Sequence, residues 1–106
     1  MQRGNPMSKI DFSIILKDIE GKDIEEGPEG AKVPFTLSKA AIQVLFVNEE
    51  KDEGEVKMTR FTLAMKIRNA EAPLKLAAEE IVMLKELVGK YMSTLIVGQV
   101  WPILDA

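Results

Sequence analysis

Neither cysteine nor histidine occurs among the 106 residues of this chain. Without thiols there is no disulfide, no thiolate nucleophile and no thiolate-bound zinc or iron–sulfur site. Without imidazole the commonest general base and the commonest transition-metal ligand are missing, and a Ser-His-Asp triad cannot be assembled. Aromatic side chains are few, with one Trp, one Tyr and four Phe, which leaves little for stacking nucleic-acid bases. No apolar run approaches the roughly 18–20 residues of a membrane span. The first residues also lack the charged-then-apolar layout of a signal peptide, so the expected compartment is the cytoplasm. A basic surplus is absent too: the net charge is −3, where proteins that live on phosphate contacts advertise an excess of Lys and Arg. No glycine-rich loop has phosphate-cradle spacing and no serine sits in a nucleophile elbow. The expectation is therefore a non-enzyme with no cofactor and no small-molecule substrate.

What is present is ordinary globular material. An apolar share of 46% and a charged share of 29% suit one core of single-domain size. Met1–Pro6 reads as a tag or disordered extension, with a natural start at Met7 and one domain over 7–106. In "KIDFSIILKDIEGKDIEE", Ile10, Phe12 and Ile14 alternate with polar residues, the period of a half-buried strand. Gly21 supplies a turn and Ile24 resumes the chain, which predicts an N-terminal β-hairpin. Two glycines and two prolines make Glu25–Pro34 a loop.

Helices dominate the rest. Thr36 is a candidate N-cap for a helix whose Leu37, Ala40, Ala41, Val44 and Leu45 share one face. The acidic stretch Asn48–Glu55 is a connection, and its residues do not match a calcium-loop ligand pattern. In "VKMTRFTLAMKIR", Phe61, Leu63, Met65 and Ile67 fit a strand, while Met58, Phe61 and Met65 fit a helix. Length and good helix formers favour the helix. A helix over 77–91 should bury Ile81, Leu84, Val88 and Tyr91, with Glu86 and Lys90 paired on its wet side. The closing stretch "LIVGQVWPILD" holds Gly98 and Pro102, yet Gly98 lies four residues before the proline, where a proline ring clashes with the carbonyl. A bent terminal helix capped by Ser93 or Thr94 is expected, seating Trp101; a strand ending at Gly98 is the alternative. The predicted architecture is α+β, an N-terminal β-hairpin packed against three to four helices in one compact domain.

The segments "LKDIEGKDI", "TLSKAAIQVLF", "TRFTLAMKI" and "LAAEEIVMLKELVGKYMSTLIVGQVWPILD" resemble, in that order, a group of small bacteriophage-encoded proteins of unassigned function. That resemblance implies a phage origin and the cytoplasm of an infected bacterium, and it implies no activity or site residue. Ala77 stands where a Ser or Thr helix cap would be expected.

Two groups of residues are candidates for function. Val82 and Met83 fall off the main stripe of the 77–91 helix, and with Val97 and Trp101 they form a candidate interface. Lys57, Arg60, Lys66 and Arg68 form a candidate basic patch. The paired acids Glu25–Glu26, Glu49–Glu50 and Glu79–Glu80 read as loop and helix-end charge, since adjacent carboxylates seldom point together. The expected function is contact with another protein, by self-association as a homo-oligomer or with a phage or host partner. A nucleic-acid accessory using 57–68 and a minor virion or tail assembly factor are the alternatives.

Overall fold

A computed structural model of the chain describes residues 9–49, 51 and 53–106; the suspected extension Met1–Pro6, the expected start at Met7, and Glu50 of the second acidic pair lie outside them. Four helices and two small antiparallel sheets form an α+β domain. Helix α1 (Leu37–Leu45) is central. It packs on α2 (Gly54–Arg68) and on α3 (Ala78–Tyr91), and α3 packs in turn on α4 (Thr94–Asp105). All five apolar residues expected on one face of α1 are buried, and the Lys39 N–H donates to Thr36 Oγ1 at its capped start. The core continues through Leu63, Ala64 and Ile67 of α2, Leu84, Leu87 and Val88 of α3, and Ile96, Val100 and Leu104 of α4. The 56–68 segment is helical, as its length predicts, and the helix begins at Gly54.

The strands differ from expectation. Only Lys9–Ile10 (β1) is regular strand in the first predicted run, and it pairs with Leu74–Lys75 (β4), not with the segment around Ile24. Asp11 breaks the run: its Oδ1 accepts from the Ser13 N–H at 2.9 Å and from Ser13 Oγ at 2.6 Å, which turns the chain. Ile10 and Phe12 are buried as the alternation requires, whereas Ile14 is exposed and Leu16 takes the inward place. The turn around Gly21 does close a short hairpin, with Lys17 opposite Asp23. A second hairpin occupies the expected loop: Glu25–Glu26 (β2) pairs with Val33–Pro34 (β3). Gly27 permits it, with φ at 112° and a backbone oxygen 2.9 Å from where a Cβ would stand.

The terminal stretch is a helix throughout. Ser93 Oγ accepts from the Ile96 N–H, α4 runs through Pro102, and Gly98 has open space around it. Gln99 ties this helix to the N-terminal hairpin. Its Oε1 accepts from the Lys17 N–H and its Nε2 donates to the Lys17 carbonyl, both at 2.8 Å, so that one side chain serves a backbone as a neighbouring strand would. At α3, Ala77 is the N-cap residue without a capping side chain; Glu80 reaches back and accepts from the Ala77 N–H at 2.8 Å. Tyr91, expected in the buried stripe of α3, is exposed at the helix end. Among the described residues no helix is long and apolar enough to cross a membrane.

Candidate functional site

The α1–α2 connection brings Glu49 over the end of α3. Its carboxylate accepts from Lys90 Nζ at 2.7 Å, from Tyr91 Oη at 2.5 Å and from Arg60 Nη2 at 2.8 Å. Arg60 is 8% exposed and also donates to the Val47 carbonyl at 3.3 Å. It occupies the inner stripe of α2 with Leu63, Ala64 and Ile67, so its guanidinium is carried inward and needs an acid there. The three hydrogen bonds, that from Lys90 foremost and then those from Tyr91 and Arg60, hold the Glu49 carboxyl down to about 2. The bonds to Glu49 raise Lys90 and Tyr91 in return. The cluster fastens the α1–α2 connection to α2 and to the end of α3.

That pairing takes Arg60 out of the predicted basic patch. Lys57 borders a shallow hollow of about 330 Å³ beside Phe46 and Met58. Arg68 lines a different hollow of about 420 Å³ with Asp11 and Glu71. Lys66 reaches Glu80 of α3 at 3.4 Å. Lys57 and Arg68 lie on one side of α2, eleven residues apart, while Arg60 and Lys66 are each committed to an acid, Glu49 and Glu80.

The candidate interface divides differently. Val97 and Trp101 of α4 line one shallow groove of about 650 Å³ with Glu86, Gly89 and Lys90 of α3. Val82 is exposed and lies two helical turns before Gly89 on the same side of α3, whereas Met83 packs against the core. Trp101 is 38% exposed and firmly placed. Its indole N–H donates to the Lys85 carbonyl at 3.1 Å, and Lys85 Nζ stands 4.7 Å from the ring centroid. Lys85 is itself held by Asp105 at 2.9 Å. Gly89 makes the seat: a Cβ there would come within 3.1 Å of Trp101 Cζ2. Lys90, expected to pair with Glu86, gives its ammonium to Glu49.

A second apolar face lies on the outer side of α2, where Met58 and Met65 could equally have been core-filling residues. Phe46, at the end of α1, and Phe61 stack with centroids 6.3 Å apart, and they are 53% and 48% exposed. Met58 is 60% exposed beside them. The sequence did contain the signal: Arg60, Leu63, Ala64 and Ile67 claim the inner side of α2, which leaves Met58, Phe61 and Met65 on the opposite side. Comparison with protein-family models, with curated proteins and with solved structures finds no match to this chain.

Proposed function

We propose that this chain is a non-catalytic protein that works by holding another protein, with the groove at Trp101 as its seat. The observation that carries the reading is the fixed, partly exposed indole over Gly89, beside Val97. A rigid aromatic ring at the mouth of an apolar groove is the usual anchor of a protein contact, because little side-chain freedom remains to be lost on binding. The groove suits an apolar side chain from a partner segment, with Lys85, Glu86 and Lys90 supplying a polar rim. A phage or host protein is the partner class implied by the resemblance to phage proteins, and a virion component is one form of it. Nucleic acid is the weaker reading, because Arg60 is committed to Glu49 and Lys66 to Glu80, which leaves Lys57 and Arg68 at opposite ends of α2.

Affinity capture from infected cells, run in parallel with the wild-type chain, Trp101→Ala and Phe61→Glu, tests this. The expected outcome is a protein retained by wild type and by Phe61→Glu, lost with Trp101→Ala, and shifting the emission of the single Trp when added back in purified form. Partners retained equally by Trp101→Ala would overturn it.

A further inference from the structure

The outer side of α3 continues the Trp101 groove toward the start of that helix. Glu79, Val82, Glu86 and Gly89 follow one another at steps of three, four and three residues, which sets them in one stripe. Leu84, Leu87 and Val88 are buried on the opposite side of α3. The stripe therefore runs acid, valine, acid, and then the glycine beneath the indole. Glu79 and Glu86 are exposed, with Val82 exposed between them. Seven residues of helix set the two acids about 10 Å apart.

The cations beside this stripe are already neutralised. Lys85 Nζ lies 2.9 and 3.0 Å from the two Asp105 carboxylate oxygens, and Lys90 Nζ lies 2.7 Å from Glu49. Glu80, next to Glu79, is taken by Lys66 and by the Ala77 N–H. Among the described residues neither Glu79 nor Glu86 has an ion-pair partner. Glu79 also complements the positive end of the helix. Glu86, in the middle of α3 and lining the groove, has no such use. The uncompensated charge along the groove is thus negative, as is the net charge of the chain, −3.

From this we infer that the groove takes a basic amphipathic segment of another protein, with an apolar side chain against Trp101 and Gly89 and Lys or Arg side chains on Glu86 and Glu79. The inference rests on the reading of the groove as a protein seat and adds the chemistry of the partner. A helical segment presents its anchors at the same three- and four-residue steps, so its apolar residues meet Gly89 and Val82 while its basic residues meet the two acids. An acidic segment would face Glu86 and Glu79 with no cation left to receive it, because drawing Lys85 or Lys90 to the partner breaks a bond that the domain already makes. Each exposed pair is weak, so the charges govern which partner is chosen more than how tightly it is held.

Panning a library of random-sequence peptides on the full chain, with Trp101→Ala as counter-selection, tests this. Peptides enriched on the wild type alone should combine apolar residues with Lys or Arg at three- or four-residue steps. On Glu86→Lys the enriched set should shift to Asp or Glu at those positions. For one selected peptide, followed by the emission of the single Trp, Glu79→Gln and Glu86→Gln should each weaken binding roughly two- to fivefold at low salt. That difference should vanish at about 1 M salt. Glu29→Gln, in the β2–β3 turn, should leave binding unchanged, which separates the stripe from the net charge of the chain. Enriched peptides that are acidic or wholly apolar, and that bind Glu86→Lys as well as wild type, would overturn the inference while leaving the groove as a protein seat. Equal enrichment on Trp101→Ala, with that variant folded by far-ultraviolet circular dichroism, would remove the seat itself. Self-association of the chain that is lost with Trp101→Ala would put a second copy in the groove in place of the basic segment.

Discussion

Trp101 and Phe61 are both large aromatic side chains left partly in water, and the structure treats them in opposite ways. Trp101 is fixed by a hydrogen bond to the Lys85 carbonyl, by the Lys85 ammonium near its ring and by the bare backbone of Gly89 beneath it. Phe61 has Phe46 for company, and Phe46 is as exposed as it is. A ring held on several sides contributes to the stability of the chain that carries it. A half-exposed ring stacked on another half-exposed ring contributes less to that chain and gains more when something else covers it. The Trp101 face is therefore part of the domain's closure, whereas the α2 face is an open surface.

The largest expected difference between the two is in stability. Trp101→Ala should destabilise the chain by about 2 kcal/mol, short of the roughly 3–5 kcal/mol of a fully buried Trp because part of the ring is already in water. Phe61→Ser should change stability by no more than about 0.5 kcal/mol, as surface substitutions do. Urea denaturation of both variants at a concentration where the chain is monomeric gives the comparison directly. Equal losses would erase the distinction between a seated and an open ring.

Next in size is the clamp that lies between the two faces. Glu49 is held down to about 2 from an ordinary value of 4.5 by Lys90, Tyr91 and Arg60. A carboxyl whose pKa is depressed by folding binds its proton more readily in the unfolded chain. Its stabilising effect is thus whole above pH 4.5 and is lost as the pH falls from 4.5 toward 2. Glu49→Gln should melt below wild type at neutral pH, because Arg60 is left with a neutral partner in a nearly closed site, and the two melting curves should converge across that acid range. A gap that stays constant down to pH 2 would show that the carboxylate's charge is not what fastens α2 to α3.

How legible each region was in the sequence follows from the kind of force that shapes it. The helix α1 was readable to the residue, since five small or aliphatic residues on one face and a Thr before them admit one arrangement. The pairing of α3 with α4, and the run of α4 through Pro102, followed from a short connection and from Gly98 lying where the proline ring needs room. The strands were less legible. Two-residue ladders carry almost no periodic signal, and Asp11 ends the alternation through a local hydrogen bond that the apolar pattern does not reveal. Tyr91 read as core because it is largely apolar, yet its hydroxyl is drawn outward to Glu49, more than forty positions earlier in the chain. The Phe46–Phe61 face went unread for a related reason. An apolar stripe reads as core by default, and α2 has two of them; only the inward Arg60 tells which one the domain uses, and its acid lies in a loop whose charges look solvated.

The smallest effect sharpens the comparison most, because it isolates the seat of the indole from everything else. Gly89 sits inside α3, where an alanine normally stabilises a helix by about 0.5–1 kcal/mol. Here the added Cβ would meet Trp101 Cζ2 at 3.1 Å, so the ring must give by a few tenths of an ångström and strain its hydrogen bond to the Lys85 carbonyl. The two terms oppose each other, and Gly89→Ala should leave stability within about 0.5 kcal/mol of wild type. The emission of Trp101, which is the chain's one tryptophan, should nevertheless change. An alanine that delivers its full helical gain with unaltered emission would mean that the ring is not seated on Gly89, and that Trp101 is as loosely held as Phe61.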